Sequence, residues 1–280
     1  MSNPSTTHDH APTDHAPTDH AGTDQAGRGS RWYRSPVPFG QLILVQLRIW
    51  RAQRGVVAGC LLALVAGLAG VVATTATLSG TVTAATISTR FTGFPLTTFS
   101  LVWLAVGAVA AAAPFKSGWA TVVLTVAPRR GRWLAACLVS FLLLTVAVTA
   151  LFAVLAVAVT AAALAVKGHD PALALAIGRP ARLLLALVVV QAGVGFLLGA
   201  ATRSVTASII IGYVVAPTVP QFAKVGSVEL GPWLDLNGAL DTLTSAHADA
   251  HAVLPALTAT VLWILAPALV AWSRLRSSVG

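Results

Sequence analysis

The side chains that could carry out chemistry lie outside the long apolar stretches of this chain. His247 and His251 are four residues apart, a spacing that places two histidines on one face of a helix, where both could bind a metal ion. The sequence offers no third ligand beside them, so we favour solvated loop residues over a small metal site.

The apolar stretches contain no Asp, Glu, Lys or His. This disfavours proton-coupled transport and membrane-embedded hydrolysis, which need ionisable or nucleophilic groups within the membrane. Gln191 is the most polar long side chain there. A lone Gln is more often an interhelical hydrogen-bond partner than a substrate contact, and both interpretations stay open. The phosphate-binding pattern Gly-x-x-x-x-Gly-Lys-Ser/Thr does not occur, and we expect that the chain is not an enzyme.

The composition indicates the class of protein. Hydrophobic residues make up 56% of the 280 positions and charged residues 10%, with a mean hydropathy of +0.80. A soluble domain carries about 25% charged residues, so this chain has too few to cover a soluble surface. We predict an all-α polytopic membrane protein. Six runs are long enough to span, at about 56–78, 95–113, 134–166, 183–201, 205–222 and 253–272.

Several of these runs have distinctive features. The stretch 134–166 is longer than one span needs, and one long helix or two re-entrant halves would fit it. One helix is favoured because no Gly or Pro interrupts the stretch. Pro217 and Pro220 are expected to bend or end the fifth helix, and Pro267 to kink the sixth. Residues 223–252 are too polar to span and would suit short interfacial helices.

The N-terminal part divides into two segments. Residues 1–36 include the repeat HAPTD, HAPTD, HAGTD and are predicted to form a disordered tail. Residues 37–55 are predicted to form an amphipathic helix on the membrane surface, with Trp50 at the headgroup level. An extension of the first span is the alternative. The apolar stripe of this helix consists of Phe39, Ile43, Leu47 and Trp50. Residues 56–280 then form the six-helix membrane domain.

The basic residues are unevenly distributed between the two ends of the predicted spans. The net charge is +9, and 13 of the 18 Lys and Arg residues fall on the side that carries both termini. Because positive residues mark the cytoplasmic side, we expect a multi-pass protein of the cell membrane with both termini in the cytoplasm. The surplus of positive charge then reflects topology and not nucleic-acid binding.

The segment between the second and third spans is the most distinctive cytoplasmic feature. It reads FKSGWATVVLTVAPRRGRW over residues 115–133 and combines a short apolar piece, a proline and three arginines. The segment could be a positively charged anchor or a docking helix whose apolar face enters the groove of a cytoplasmic partner.

At this segment the chain resembles the membrane-spanning permease subunit of bacterial ABC transporters of the ABC-2 type. The positions that match the loop pattern are Phe115, Lys116, Gly118, Trp119, Thr121, Thr125, Pro128, Arg129, Arg130 and Arg132. A second match is the turn Leu198–Arg203, with Gly199 and Arg203 at its key positions. Two positions depart from the pattern, because Pro114 replaces an acidic residue and Cys137 replaces a lysine.

The resemblance implies a function and partners. A cytoplasmic ATPase subunit would bind ATP and Mg, and this chain would hold no cofactor. A second permease copy or paralogue would complete the transporter, which would export a hydrophobic or amphipathic small molecule. The richness in Ala, Val and Arg favours a GC-rich, actinobacterial source. A non-transporting membrane scaffold, resistance or sensor protein is the alternative, and a membrane enzyme is the least favoured.

Overall fold

The computed structural model describes residues 38–118, 130–226, 231–236, 238, 239, 242 and 250–277. The described part of the chain is helical and contains no strand, and Phe39–Gly280 forms one compact unit. The N-terminal repeat lies outside the described residues, so its predicted disorder stays a prediction.

The helices of the described residues are given in chain order. They are α1 (Phe39–Ala52), α2 (Arg54–Ala76), α3 (Ala84–Thr92), α4 (Phe94–Lys116), α5 (Arg130–Val166), α6 (Gly178–Thr202), α7 (Val205–Ile210), α8 (Ala216–Gly226), α9 (Gly231–Leu234) and α10 (Ala250–Ser277). A 3₁₀ helix, Pro171–Ile177, precedes α6, and a π-helical turn, Ile211–Val215, joins α7 to α8.

Six helical segments in the described residues are long and apolar enough to cross a membrane. They lie at the six predicted positions, within α2, α4, α5, α6, the α7–α8 segment and α10. The predicted fold class, an all-α polytopic membrane protein, is therefore confirmed. The third span is one continuous helix of 37 residues, as the absence of internal Gly and Pro favoured.

Helices α4 and α6 form the tightly packed centre of the molecule. Gly195 and Gly199 lie one turn apart on α6 and face α4. A Cβ atom on Gly195 would lie 2.1 Å from the carbonyl oxygen of Leu104, and one on Gly199 would lie 2.7 Å from that of Ala108. Only glycine fits at such distances, so these residues let the two backbones meet as small-residue pairs do in membranes.

Aromatic side chains join α5 to its neighbours. Phe152 stacks on Phe99 of α4 with 4.1 Å between ring centroids, and Phe141 stacks on Phe196 of α6 at 5.6 Å. The edge of Trp50 in α1 meets Phe141 at 6.1 Å. Offset and edge-to-face pairs at these distances stabilise a core beyond the area that they bury.

Helix α1 packs against the first part of α5. A break at Gln53 separates α1 from α2, so α1 is a helix of its own and not an extension of the first span. Trp50 was expected at the headgroup level, but its side chain is only 1% exposed, and its indole N–H donates to Ser140 Oγ at 2.9 Å. The predicted apolar stripe therefore packs on another helix of the same chain.

Pro217 and Pro220 were expected to bend or end the fifth helix, and the structure shows that they do not end it. It continues through Pro217 and Pro220 to Gly226. Pro217 has no N–H, and its ring collides with the carbonyl four residues earlier in a regular α-helix. The chain widens into the π-helical turn just before this proline, where the Ala216 N–H bonds the Ile211 carbonyl, five residues back. The helix accommodates the proline in this way and does not end.

Short elements close the end of the bundle that carries Lys167, which we call the lysine end. Helix α3 begins at Thr83, whose hydroxyl accepts from the Thr86 N–H, and Asp170 caps the 3₁₀ helix in the same manner. The ammonium of Lys167 donates three hydrogen bonds to the carbonyls at the end of α2. The acceptors are the carbonyl oxygens of Thr75 at 2.8 Å, Ala76 at 3.0 Å and Leu78 at 2.8 Å.

Candidate functional site

The predicted docking residues Phe115, Lys116 and Arg132 lie at the opposite end of the bundle, which we call the arginine end. It is formed by the start of α1, the end of α4, the start of α5, the end of α6 and the end of α10. The basic side chains described there are Lys116, Arg132, Arg203, Arg274 and Arg276.

Arg203 occupies a constrained turn between α6 and α7. It has a left-handed backbone conformation with φ of 55°, the only non-glycine residue in the described part of the chain with positive φ. Its N–H closes α6 by donating to the Gly199 carbonyl at 2.9 Å. Ser204 begins α7, with its hydroxyl accepting from the Ala207 N–H at 3.3 Å. Both flanking helices thus fix the turn.

The side chain of Arg203 connects three helices. Its guanidinium carbon lies 5.1 Å from the ring centroid of Phe115 on α4, a cation–π contact. Its Nη2 donates to the Arg274 carbonyl on α10 at 3.2 Å. A left-handed conformation costs an ordinary residue roughly 1–2 kcal/mol. These contacts offset the cost of the left-handed conformation. They explain why an arginine can occupy a turn in which glycine is the usual residue.

Two further arginines stack on aromatic rings at the same end. Arg132 lies 6.0 Å from the Phe39 centroid, and Arg276 lies 5.0 Å from that of Trp272. A guanidinium that stacks through its face keeps its N–H donors in its plane, available to a carboxylate or phosphate. The start of α5 is close to α10 here, since a Cβ on Gly131 would lie 1.9 Å from the Trp272 ring.

The arginine end projects beyond the start of the first span. Gly55, near the start of α2, lies opposite Val109, where a Cβ would be 3.1 Å from Val109 Cγ1. Helix α4 continues from Val109 to Lys116, about 10 Å further. Helix α5 begins at Arg130, about 15 Å before the Ser140 that bonds Trp50. The segment between α4 and α5 therefore starts and ends well beyond the level of α2.

The described residues cover only part of the predicted docking segment. Phe115 is half-buried beneath Arg203, and Lys116 is exposed. Gly118 follows the end of α4 with φ of 71°, and Arg130 opens α5. The remaining predicted residues lie outside the described part of the chain and are Trp119, Thr121, Thr125, Pro128 and Arg129. Their roles stay predictions.

The predicted stripe of α1 is brought to the same region. Phe39 contacts Arg132, and Ile43 and Leu47 are half-buried along the length of α1 that leads to Trp50. The other face of α1 exposes Leu44 and Val45. Helix α1 therefore has an apolar surface on both sides, one against α5 and one turned outward.

The sequence alone did not reveal the part played by α10. Trp272, Arg274 and Arg276 complete the arginine end, although they had been assigned only to topology. A tryptophan followed by two alternating arginines at the end of a span is the signal that could have suggested it. Among the described residues no group of three His, Cys, Asp or Glu is placed to hold a metal ion, and His247 lies outside them.

Comparison with known proteins adds no family to this description. No family model matches the chain, and no curated protein matches its sequence.

Proposed function

We propose that this chain is the membrane-spanning permease subunit of an ABC transporter of the ABC-2 type. A separate cytoplasmic ATPase would dock on the arginine end and hydrolyse ATP with Mg. A second permease copy or paralogue would complete the export path for a hydrophobic or amphipathic small molecule. Both termini and the arginine end would then face the cytoplasm.

The proposal depends mainly on one contact. The two segments that carry the family resemblance, the loop beginning at Phe115 and the turn ending at Arg203, are separated by more than 80 residues in the chain. Arg203 stacks on Phe115 at 5.1 Å, so the two matched positions are neighbours at one end of the bundle. A positively charged anchor that only sets topology gives no reason for this pairing.

Two other features are consistent with docking. The end of α4 and the start of α5 project beyond the start of α2, which would hold the connecting segment away from the lipid headgroups and within reach of a soluble partner. The stacked arginines would offer their in-plane donors to acidic side chains on that partner.

The test is whether a neighbouring gene encodes a phosphate-loop ATPase and whether this chain captures that ATPase. The tagged full chain and that ATPase are produced together and purified in detergent. Residues 119–129 are replaced by a Gly-Ser segment of equal length, which keeps Lys116 and Arg132 in place. We expect the captured ATPase to fall at least tenfold, because the docking helix is gone while the membrane helices stay intact.

A matched change at the lysine end serves as the control. Replacing the exposed residues 79–81 with Gly-Ser should leave capture unchanged. Failure of the native chain to capture the ATPase, or equal capture by both variants, would refute the docking proposal. Vesicles containing the captured complex then separate a transporter from a scaffold, since only a transporter accumulates a lipophilic dye when ATP is added.

A further inference from the structure

Three exposed arginines lie where α1 joins the first span. Arg48 and Arg51 are near the end of α1, and Arg54 is the first residue of α2. Residues three apart are neighbours on a helix, so Arg48 and Arg51 share one face of α1. Arg54 follows Arg51 by three residues, which limits the distance between their Cα atoms to about 11 Å. We call these three residues the junction arginines.

The junction arginines have no carboxylate near them in the sequence, since no Asp or Glu occurs between residues 25 and 169. The structure describes two carboxylates, Asp170 and Asp235, and both accept from backbone N–H groups of their own segments. No hydrogen bond or ion pair joins a junction arginine side chain to another residue that the structure describes. Their donors are therefore directed to groups outside the described fold.

The first span places Arg54 at the edge of the hydrocarbon core. Helix α2 has 23 residues and is about 34 Å long, close to the roughly 30 Å thickness of that core. Its first residue then lies at the level of the lipid phosphates, and Arg51 lies just before it. The stacked Arg132 belongs to the start of α5, which projects beyond this level. The junction arginines are thus the ones closest to the bilayer at this join.

An apolar row continues from Arg54 along the outer face of α2. Val57, Leu61 and Val65 follow it at intervals of three, four and four residues, and 39%, 56% and 65% of their surfaces are exposed. This spacing keeps them on one side of the helix together with Arg54. Positive charge at the headgroup level with an apolar row along the span matches a phospholipid better than it matches an acidic soluble peptide.

We propose that the junction arginines bind the phosphate of an anionic phospholipid in the leaflet at the arginine end, with an acyl chain along the outer row of α2. Arg51 and Arg54 offer donors that can pair bidentately with a phosphate, and Arg48 adds a third positive charge. A zwitterionic headgroup binds more weakly, because its own ammonium group is repelled by the arginines. The lipid site depends on the membrane character of the chain and not on the proposed ATPase.

The experiment compares two lipids that differ only in the headgroup. The full chain in dodecyl maltoside is titrated with phosphatidylglycerol and with phosphatidylcholine, both with the same acyl chains and the same fluorescent acyl label, and fluorescence anisotropy reports binding. One arginine near the membrane surface strengthens the binding of anionic lipid about fivefold. We expect the native chain to bind phosphatidylglycerol about 25-fold more tightly than phosphatidylcholine, or more.

Matched variants locate the site. The double variant Arg51→Gln, Arg54→Gln should lower the preference for phosphatidylglycerol about 25-fold, and Arg48→Gln alone about fivefold. The double variant Arg90→Gln, Arg182→Gln removes the same charge from exposed arginines at the lysine end and should keep the preference. The free energy of unfolding of each variant checks that the fold is kept.

Equal binding of the two lipids to the native chain would refute the proposal and leave the junction arginines with a role in topology only. The proposal is also wrong if the variant at Arg51 and Arg54 keeps the lipid preference, and a loss of ATPase capture in that variant would then assign the arginines to a protein partner. Conversely, a chain that captures no ATPase but prefers phosphatidylglycerol as expected would refute the proposed partner and leave the lipid site in place.

Discussion

The two ends of the helix bundle use their positive charges differently. At the lysine end all three donors of Lys167 are directed to carbonyls at the end of α2, in the same chain. At the arginine end the guanidinium carbons of Arg132 and Arg276 lie over aromatic rings, 6.0 Å and 5.0 Å from the ring centroids. Cations near a helix C-terminus stabilise it by meeting its unpaired carbonyls and its dipole. Lys167 stabilises the fold, whereas the hydrogen-bond donors of Arg132 and Arg276 would serve a partner if the proposed docking is correct.

The two ends show two different roles that basic residues can have in a positive-inside pattern. Counting basic residues locates the end that faces the cytoplasm but does not distinguish charges that bind a partner from charges that only set topology. Arg203 combines features of both ends. One of its donors bonds the Arg274 carbonyl, and its guanidinium lies over the Phe115 ring. Substitutions at these positions distinguish residues that stabilise the fold from residues that bind a partner.

The largest loss of stability is expected between the two ends, at Gly195. In Gly195→Ala the new Cβ would lie 2.1 Å from the Leu104 carbonyl oxygen, so α4 and α6 must separate. Forcing a side chain into a tight contact between backbones should lower the free energy of unfolding by about 3 kcal/mol. Reversible unfolding in mixed micelles with denaturant measures this loss.

Gly193 on the same helix provides the control. A Cβ there would meet only Leu142 Cδ2, at 4.0 Å, which is an ordinary contact. We expect Gly193→Ala to change the free energy of unfolding by less than about 1 kcal/mol. Equal losses in the two variants would show that close backbone packing does not hold the centre.

An intermediate effect is expected at Lys167. Lys167→Met removes three hydrogen bonds to the end of α2, and water can reach part of this exposed site. The free energy of unfolding should therefore fall by about 2 kcal/mol, with ATPase capture unchanged. The same unfolding and capture measurements apply.

The matched substitution at the other end is Lys116→Met. Lys116 is exposed, so stability should stay the same while capture falls. If Lys116→Met lowers the stability and Lys167→Met lowers ATPase capture, the difference that we describe between the two ends is wrong.

A small change in stability is also expected at Arg203. In Arg203→Gly the cost of the left-handed conformation, roughly 1–2 kcal/mol, disappears together with the cation–π contact and one hydrogen bond of similar total size. The unfolding free energy should stay within about 1 kcal/mol of the native value while ATPase capture falls.

Arg203→Ala loses the same contacts but keeps the strained conformation. It should be less stable than Arg203→Gly by about 1 kcal/mol, with equally weak capture. A glycine variant that captures the ATPase as well as the native chain does would remove Arg203 from the docking surface.

The spans were predictable because each is set by a local property of the sequence. An uncharged apolar run such as the one in α5 can satisfy its backbone in lipid only as a helix, so its length and position follow from composition. The turn at Arg203 was likewise predicted by the short polar break between two runs. Helix α3 and the 3₁₀ helix escaped prediction because they are short, with nine and seven residues.

The contacts of the site were harder to predict from the sequence, because they join residues far apart in the chain. The pairing of Phe115 with Arg203 and that of Lys167 with α2 depend on how the helices pack. Gly195 and Gly199 are four residues apart, a spacing that favours close packing of two helices in a membrane, but this packing was not predicted. The packing of Trp50 on α5 was not predicted, because an amphipathic stripe indicates a face to be covered but does not show whether lipid or protein covers it.

The length of α5 has a mechanical consequence. Its 37 residues correspond to a rod of about 55 Å with no Gly or Pro after its second position. Phe141 couples this rod to α1 and α6, and Phe152 couples it to α4. A rotation by 5° about its midpoint would move each tip by roughly 2 Å in opposite directions. If α5 moves as one rigid body, a displacement at Arg130 would therefore be accompanied by an opposite displacement at Val166.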